Sequence, residues 1–395
     1  TTVPDTSTTV DTTTTVPETT TTTTAPPTPE YRVVAGGFHT CAFSLNASPD
    51  FTQCWGGNLQ GQVGDGSVGI AASGSDCCVW LEPANVVGLT SVKDMSLGRQ
   101  HSCALLTDQR VACWGDDSFG QVGDAGSGVV PVPYTIDGLN GVLSLDAGSN
   151  HTCAVAGDHT VACWGSNSSG QLGGGPNGGS PGPLTVAGTT DAVAVSAGVD
   201  HTCIVRTGGS VSCWGGNAQG QLGDGSTTSS NVPVSVVGIS GATQVVAGNG
   251  FSCALVSGAV KCWGRGVNLG NGDPTSNSSS PVDVSGVTTA TQLSAAQDHA
   301  CVLLADTGVR CWGRNTEGSL GNGTVSLAAS TPSDVLSPVD QSPLTGFRSI
   351  SAGGVLTCGT VVGLPKPMVC WGRGREFELG NRSTNSSSLP VLVFP

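Results

Sequence analysis

A paired-cysteine motif that recurs seven times after residue 30 limits the fold more strongly than any other feature of the sequence. Each copy contains a Cys-Trp-Gly triplet, with a second cysteine 9 to 13 positions upstream of the triplet cysteine. The triplets begin at Cys54, Cys113, Cys163, Cys213, Cys262, Cys311 and Cys370. The upstream cysteines, spaced 48 to 62 residues apart, are Cys41, Cys103, Cys153, Cys203, Cys253, Cys301 and Cys358. A period of roughly 50 residues is typical of propeller blades, whereas helical solenoids mostly have shorter repeats.

One repeat predicts four short strands, over residues 232–236, 243–247, 251–256 and 260–263. Glycines and short turns separate these segments, and helix signals are nearly absent. After the tryptophan comes a segment rich in Gly and Asn, which predicts a tight loop in which several glycines have positive φ. We therefore predict an all-β fold, a seven-bladed β-propeller with four-stranded blades, over residues 31–395.

The two ends of the repeat region predict how the ring closes. The first repeat begins at residues 31–34 without the Pro-Val-x-Val strand that opens the other repeats. The chain finishes with Leu-Pro-Val-Leu-Val at residues 389–393, which matches that strand. We predict that this carboxyl-terminal strand completes the first blade, because ring closure removes exposed sheet edges.

Residues 1–30 have a composition of their own, with sixteen Thr, five Pro, four acidic residues and no Lys or Arg. Such a segment cannot bury enough apolar surface to offset the entropy of ordering. We expect a disordered Thr/Pro-rich stalk or linker that is a candidate for O-glycosylation. The alternative is a solvated tail that has no function. The first residue is Thr1 rather than Met, which would fit the removal of a signal peptide.

The recurring phrase Gly-x-x-His-Thr-x-Ala-Leu, followed by Trp-Gly-x-Asn-x-x-Gly-Gln-Leu-Gly-Asp-Gly, resembles the regulator of chromosome condensation repeat family. The histidine of the motif is His39, His101, His151, His201 and His299, with Phe251 and Leu356 in the two other repeats. The resemblance covers residues 31–395 and implies a seven-bladed propeller. Founding eukaryotic members are guanine-nucleotide exchange factors bound to chromatin, other members bind proteins, and a secreted bacterial relative inhibits β-lactamases. The family therefore implies a fold and leaves the function open.

The cysteines depart from the usual family pattern, so the chain resembles a cysteine-rich, secreted bacterial-type variant. Each pair spans a predicted β-hairpin and would face across antiparallel strands, within reach of a disulfide. The predicted disulfides are Cys41–Cys54, Cys103–Cys113, Cys153–Cys163, Cys203–Cys213, Cys253–Cys262, Cys301–Cys311 and Cys358–Cys370. Free buried thiols are the alternative, and the lack of Cys-x-x-Cys argues against zinc. Seven disulfides would imply an oxidising compartment, so we expect an extracellular or cell-surface protein.

Two adjacent cysteines, Cys77 and Cys78, remain outside these pairs. They lie in the extra residues that lengthen the first interval, beside Trp80. A vicinal disulfide that stiffens the loop and a bridge to another chain are both compatible with the sequence. Trp80 on this inserted loop is a candidate recognition residue.

Catalysis has little support in the sequence. The motif histidines recur at one blade position, which is typical of a structural role, and no catalytic triad or phosphate-binding loop is present. Asp65, Asp124 and Asp224 occupy Gly-Asp-Gly or Gly-Asp-Ala turns, where a carboxylate accepts backbone hydrogen bonds more readily than it binds calcium. We expect no enzyme activity, no cofactor and no metal.

The charge distribution suggests a binding surface. The residue after each Cys-Trp-Gly is, in order, Gly57, Asp116, Ser166, Gly216, Arg265, Arg314 and Arg373, with Arg375 close by in sequence. Residues 1–260 hold 5 basic and 19 acidic residues, whereas residues 261–395 hold 9 of each. We therefore predict an arginine arc on the last three blades that attracts an anionic partner. The alternative is that these arginines only keep the surface soluble.

Taken together, these patterns predict a monomeric, non-catalytic recognition module that binds a protein or glycan through loops on one propeller face. The net charge of −14 argues against nucleic acid as the partner. No apolar run reaches the roughly 20 residues of a membrane-spanning helix. A guanine-nucleotide exchange regulator and a secreted inhibitor of enzymes such as β-lactamases are the alternative functions.

Overall fold

The computed structural model of the protein describes residues 1–2, 30–45, 51–69, 79–126, 128–139, 141–174, 178–363 and 367–393. These residues form seven four-stranded antiparallel sheets. The innermost strands of successive sheets contact one another around a ring, and the first also contacts the seventh. The predicted all-β, seven-bladed propeller is confirmed. Within the described residues the single helical element is a 3-10 turn, Gly266–Asn268.

Each blade consists of four consecutive strands, numbered outward from the centre of the ring. The first strands are β1 (Tyr31–Ala35), β5 (Val92–Leu97), β9 (Ser144–Ala147), β13 (Ala192–Ala197), β17 (Ala242–Ala247), β21 (Ala290–Ala295) and β25 (Phe347–Gly353). The second strands are β2 (His39–Ser44), β6 (His101–Leu106), β10 (His151–Val155), β14 (His201–Arg206), β18 (Phe251–Val256), β22 (His299–Leu304) and β26 (Leu356–Val361). The third strands are β3 (Thr52–Gly57), β7 (Val111–Asp116), β11 (Val161–Gly165), β15 (Val211–Gly215), β19 (Ala259–Gly264), β23 (Val309–Asn315) and β27 (Met368–Gly372). The outer strands are β4 (Val79–Asn85), β8 (Val129–Thr135), β12 (Ser180–Thr185), β16 (Ser230–Ser235), β20 (Ser278–Asp283), β24 (Ser326–Asp334) and β28 (Ser387–Leu392).

The prediction that the carboxyl-terminal strand completes the first blade is wrong. Strand β28 pairs with β27 of its own blade, where Val391 lies opposite Cys370. The outer strand of blade 1 is β4, where Ala84 lies opposite Cys54. Each proline-containing strand is therefore the outer strand of the blade whose Cys-Trp-Gly triplet precedes it in the sequence. The loop after each tryptophan folds the chain back so that this strand pairs with the third strand. In the first repeat the extra residues before β4 conceal this relationship.

The ring closes through side chains instead. Val33 and Trp55 of blade 1 share a hydrophobic core with Leu356, Leu379 and Val393, which belong to the last repeat. The backbone N–H of Ala35 donates a 3.0 Å hydrogen bond to Ser351 Oγ across the same interface. Blades 1 and 7 thus meet by the kind of contact that joins the other blades.

One disulfide links the second and third strands of every blade, as predicted for the seven cysteine pairs. Paired Cα atoms lie 4.0 to 4.1 Å apart, and all fourteen cysteines are buried. Cys77 and Cys78 lie outside the described residues, as do residues 3–29, so the predictions for both segments stay predictions.

The outer strands are the edges that a propeller leaves unpaired, and each one contains proline. A proline in an edge strand has no N–H to offer a neighbouring chain, so these edges are poor templates for intermolecular pairing. The prolines are Pro83, Pro131, Pro133, Pro181, Pro183, Pro233, Pro281, Pro332 and Pro390.

Candidate functional site

A hydrogen-bonded relay between neighbouring blades explains most of the repeated motif. Nε2 of His101 in blade 2 lies 2.9 Å from Oγ1 of Thr152 in blade 3. The Thr152 hydroxyl donates a 2.8 Å bond to the carbonyl of Gln121, which lies in the loop of blade 2. Nε1 of Trp164 in blade 3 donates to the same carbonyl at 3.0 Å. One loop carbonyl therefore fixes two side chains of the next blade.

The relay repeats at four other interfaces, with His–hydroxyl distances of 2.7 to 2.9 Å. Its histidines there are His39, His151, His201 and His299, which face Ser102, Thr202, Ser252 and Thr357. Because each hydroxyl proton goes to a carbonyl, the histidine Nε2 must carry the proton that it shares with the hydroxyl. Burial lowers the pKa of His101 to about 4 and that of His299 to about 3, which keeps these rings neutral. The motif histidines thus have the structural role that their recurrence predicts.

The interface between blades 5 and 6 loses both partners of the relay together. Phe251 replaces the histidine, and the facing position holds Ala300, which has no hydroxyl; both pack in one core cluster. Trp312 still donates a 2.9 Å bond to the carbonyl of Asn268. An apolar pair therefore substitutes for a hydrogen-bonded pair, and neither of these two positions holds a polar side chain that would need a partner.

The glycine after the Gln-Leu or Gln-Val pair permits the loop to lie on the neighbouring tryptophan. Gly223 has φ 68°, and a Cβ atom there would stand 2.7 Å from Trp263 Nε1. Only glycine has both the conformation and the space for this approach.

The loops between third and fourth strands all leave the ring on one side, which we call the loop face. It comprises residues 58–78, 117–128, 166–179, 216–229, 265–277, 316–325 and 373–386, as far as they are described. The connections between second and third strands form the opposite side, the turn face, which comprises the described residues of 45–51, 107–110, 156–160, 207–210, 257–258, 305–308 and 362–367. The recurring aspartates lie on the loop face; for example, Asp224 Oδ1 accepts a 2.9 Å bond from Ser226 N, as turn chemistry predicts.

The four predicted arginines lie on the loop face or at its edge, and the described residues give each one an acidic neighbour. Arg265 Nη1 lies 2.9 Å from Asp298 Oδ1, and Arg314 Nε lies 3.8 Å from the other oxygen of the same carboxylate. Asp298 thus brings the arginines of blades 5 and 6 together. Arg375 Nη2 lies 2.7 Å from Glu317 Oε1 in the loop of blade 6.

Arg373 is built into the interface between blades 7 and 1. Its guanidinium contacts Glu376 at 2.7 Å and Glu378 at 3.2 Å, and its Cζ stands 4.8 Å from the centre of the Phe38 ring. Burial raises the pKa of Glu378 to about 7, although Arg373 lowers it. With two acidic partners and an aromatic ring around it, Arg373 is less available to a ligand than Arg314.

Trp80 lies on β4, opposite Gly56, and so belongs to a strand rather than to the inserted loop that the sequence suggested.

Among the described residues, two recesses are large enough to consider as binding sites. The central channel has a volume of about 500 Å³, and the first strands of all seven blades form its wall. Asp146 is tied into that wall, since its carboxylate accepts bonds from Ser96 Oγ at 2.6 Å and from Ala197 N at 2.8 Å. Asp146 therefore links blade 3 to the blades on both sides of it, so its carboxylate has a structural role in the channel wall.

The second space is a groove of about 420 Å³ on the loop face, between the loops of blades 4, 5 and 6. Its lining includes Gln219, Arg265, Pro274, Arg314 and Leu327, and we call it the blade 5–6 groove. Leu327 is 85% exposed. The sequence indicated the two arginines but not Leu327, which lies outside the recurring motif, or the shared Asp298, which occupies the variable position before the motif histidine.

Within the described part of the chain, no group of three or more His, Cys, Asp or Glu side chains could hold a metal ion. No helix among these residues is long and apolar enough to cross a membrane.

Two family models, both described as the regulator of chromosome condensation (RCC1) repeat, match the sequence. One matches residues 92–121, 142–171 and 192–221, and the other matches 158–205 and 208–255. These segments carry the histidine, tryptophan and loop residues of the relay. These segments are RCC1 repeats. No curated protein sequence matches it.

Several solved structures are similar in fold. The structure of human WBSCR16 has a TM-score of 0.69 at 21% identity and covers 82% of this chain and 85% of its own. Yeast RCC1 (Prp20), solved bound to Kap60, has a TM-score of 0.70 at 18% identity and covers 93% of this chain and 84% of its own. The ectodomain of the receptor kinase CR4 from Physcomitrella patens has a TM-score of 0.51 at 21% identity, covering 87% of this chain and 72% of its own. At these identities the likeness extends to the fold alone.

Proposed function

We propose that the protein is a non-catalytic recognition module, outside the cell or on its surface, that binds a protein or glycan partner through the loop face. The observation that carries this proposal is the relay between blades. Buried hydrogen bonds hold each described loop on the next blade, so the loops form a pre-organised surface, and such a surface loses little entropy when a partner binds.

The histidines support a binding role over a catalytic one. A general acid or base needs a pKa near the working pH and access to a substrate. The relay histidines for which a shift is resolved have pKa values lowered to about 3 or 4 by burial, and none of the five has an exposed side chain.

The disulfides support the location. Seven buried disulfides in one domain are compatible with a secreted or extracellular protein, because the cytosol keeps most thiols reduced. A fold of this kind also occurs in the ectodomain of the receptor kinase CR4.

The alternative of a nucleotide-exchange regulator follows from the likeness to yeast Prp20p, whose structure was described with its binding to Gsp1p and histones. A net charge of −14 weighs against a partner as negatively charged as chromatin. No feature of the described part of the loop face favours that function or the function of an enzyme inhibitor.

Site-specific photo-crosslinking tests the proposal. A benzophenone amino acid replaces Phe119 or Gln219 on the loop face, and Asp158 or Asp306 on the turn face serves as the matched control. We expect the full-length protein, secreted from its own cells, to trap a partner from the loop-face positions only. Equal trapping from both faces, or none from the loop face, contradicts the proposal.

A further inference from the structure

The blade 5–6 groove differs from the rest of the loop face in combining cationic and apolar surface. Its walls come from three successive blades, with Gln219 from blade 4, Pro274 from blade 5 and Leu327 from blade 6. A cleft shared by three blades lies between loops that the relay and the Trp312–Asn268 bond hold in place. It is therefore a preformed recess rather than an opening between mobile loops.

The groove carries unpaired positive charge. Two guanidinium groups, Arg265 and Arg314, share one carboxylate, that of Asp298, which is only 17% exposed. Arg314 is 42% exposed, and within the described residues its terminal nitrogens have no hydrogen-bond acceptor. Asp273 on the same loop forms no ion pair with either arginine in the described part of the chain; its Oδ1 instead accepts bonds from Thr275 N, Thr275 Oγ1 and Ser276 N. One positive charge and several N–H donors thus remain available to a ligand.

An exposed apolar strip borders this charge. Strand β24 has nine residues, whereas the other outer strands have six or seven. Its first part runs beside the arginine, with Ala328 opposite Arg314 in register. Leu327 is the residue before Ala328 in this strand. Val325, which is 65% exposed, immediately precedes the strand. Solvent-exposed aliphatic side chains beside a cation favour a ligand that offers both an aliphatic group and a carboxylate.

We propose that the blade 5–6 groove binds an extended acidic segment of a partner protein, with a carboxylate on Arg314 and Arg265 and an aliphatic side chain on Leu327. This inference rests on the proposed function and adds the site and the chemistry of the segment that it recognises. A protein segment fits better than a glycan, since a neutral sugar would leave the guanidinium groups without an anionic partner.

Three fluorescein-labelled peptides test the groove directly by fluorescence anisotropy with the full-length protein. The probe is (Leu-Glu)4, and its controls are (Leu-Gln)4, which lacks the charge, and (Ser-Glu)4, which lacks the aliphatic groups. We expect the probe to bind at least tenfold more tightly than either control at 50 mM salt. Binding should weaken as salt rises to 500 mM, because one contact is electrostatic.

Variants then locate the site. Arg314→Gln and Leu327→Ser should each weaken probe binding at least fivefold, and both alter exposed side chains, so the fold should remain intact. The matched control is Arg110→Gln, which removes an exposed arginine that also pairs with an aspartate, Asp108, but lies on the turn face. Arg110→Gln should leave probe binding unchanged.

Three results would overturn the inference. These are no binding of the probe at 1 mM protein, equal binding of the three peptides, and equal effects of Arg314→Gln and Arg110→Gln. If the loop face still traps a partner by photo-crosslinking in such a case, the proposed function stands and only the groove assignment fails.

Discussion

The Nε atom of Arg373 lies 3.2 Å from Oε1 of Glu378, a carboxylate without exposed surface. In blade 2 the equivalent positions hold Asp116 and Gln121, joined by a 2.8 Å bond from Gln121 Nε2 to Asp116 Oδ2. Blade 7 therefore keeps a contact between these two positions, but the residue with the N–H groups and the carboxylate have exchanged places. The backbone carbonyl of Glu378 accepts the bonds from blade 1, so this altered contact lies where the ring closes.

Glu378 should make the stability of the protein depend on pH. Burial raises its folded-state pKa to about 7, well above the ordinary value of a glutamate. The unfolded chain releases this proton at lower pH, so stability should fall as pH rises from about 4.5 to 7 and then level off. We expect Glu378→Gln to reduce this fall by about 1–3 kcal/mol between pH 5 and pH 8. Guanidinium unfolding midpoints of both proteins at pH 5, 6, 7 and 8 provide the measurement, and parallel pH profiles would contradict the prediction.

Asp117 is a second group that should destabilise the protein at neutral pH. Burial and a contact with Asp124 raise its pKa to about 7, and its Oδ1 accepts a 2.7 Å bond from Val122 N. Most other repeats have asparagine here, and in blade 4 the amide of Asn217 lies 3.4 Å from Asp224 Oδ1. Asp117→Asn should therefore stabilise the protein at pH 8 by about 1–2 kcal/mol and have little effect at pH 4.

The matched control for that experiment is Asp158→Asn, since Asp158 is exposed on the turn face and hydrogen-bonds Thr160. It should not stabilise the protein at pH 8. A gain for Asp158→Asn equal to that of Asp117→Asn would attribute the effect to net charge rather than to the buried contact.

The sequence predicts the repeat count, the strands and the cysteine pairs because each depends on local spacing. Two cysteines about ten residues apart on a hairpin meet directly, whatever the rest of the fold does. The blade to which an outer strand belongs is harder to predict from the sequence. Strand β4 follows an insertion, and only its backbone pairing with β3 shows that it belongs to blade 1. For this reason the ring closure was predicted wrongly.

The candidate site was only partly predictable. The position after each Cys-Trp-Gly located Arg265 and Arg314 on one face, because equivalent positions of a propeller share a side. Their common partner Asp298 comes from the turn between the first and second strands of blade 6, which only the three-dimensional contact reveals. The change of Gln to Glu at position 378 was a usable signal, since it accompanies the change to Arg373 in the same repeat.

The relay should be energetically coupled across each blade interface. Thr152→Ala removes the hydroxyl that joins His101 Nε2 to the Gln121 carbonyl and should cost about 1–3 kcal/mol, because it leaves buried polar groups unsatisfied. Adding His101→Phe reproduces the Phe251 and Ala300 pair of blades 5 and 6. The double variant should recover part of the loss, and chemical denaturation of the wild type, both single variants and the double variant gives the coupling. Strictly additive free energies would show that the two side chains act independently.

The disulfides should contribute strongly and separately to stability. A bridge that closes a loop of about ten residues is worth about 2.5–3 kcal/mol on the chain-entropy model, so replacing Cys203 and Cys213 together by Ser should lower the free energy of unfolding by that amount. Both sulfurs are buried, so the single variant Cys203→Ser, which leaves a lone thiol, serves as a matched comparison.

Intact mass after denaturation and alkylation without reductant tests whether the disulfides are present. Fourteen protected cysteines would indicate the seven blade bridges alone, whereas sixteen would add Cys77 and Cys78. Alkylation of most cysteines would contradict both the bridges and the oxidising compartment that they imply.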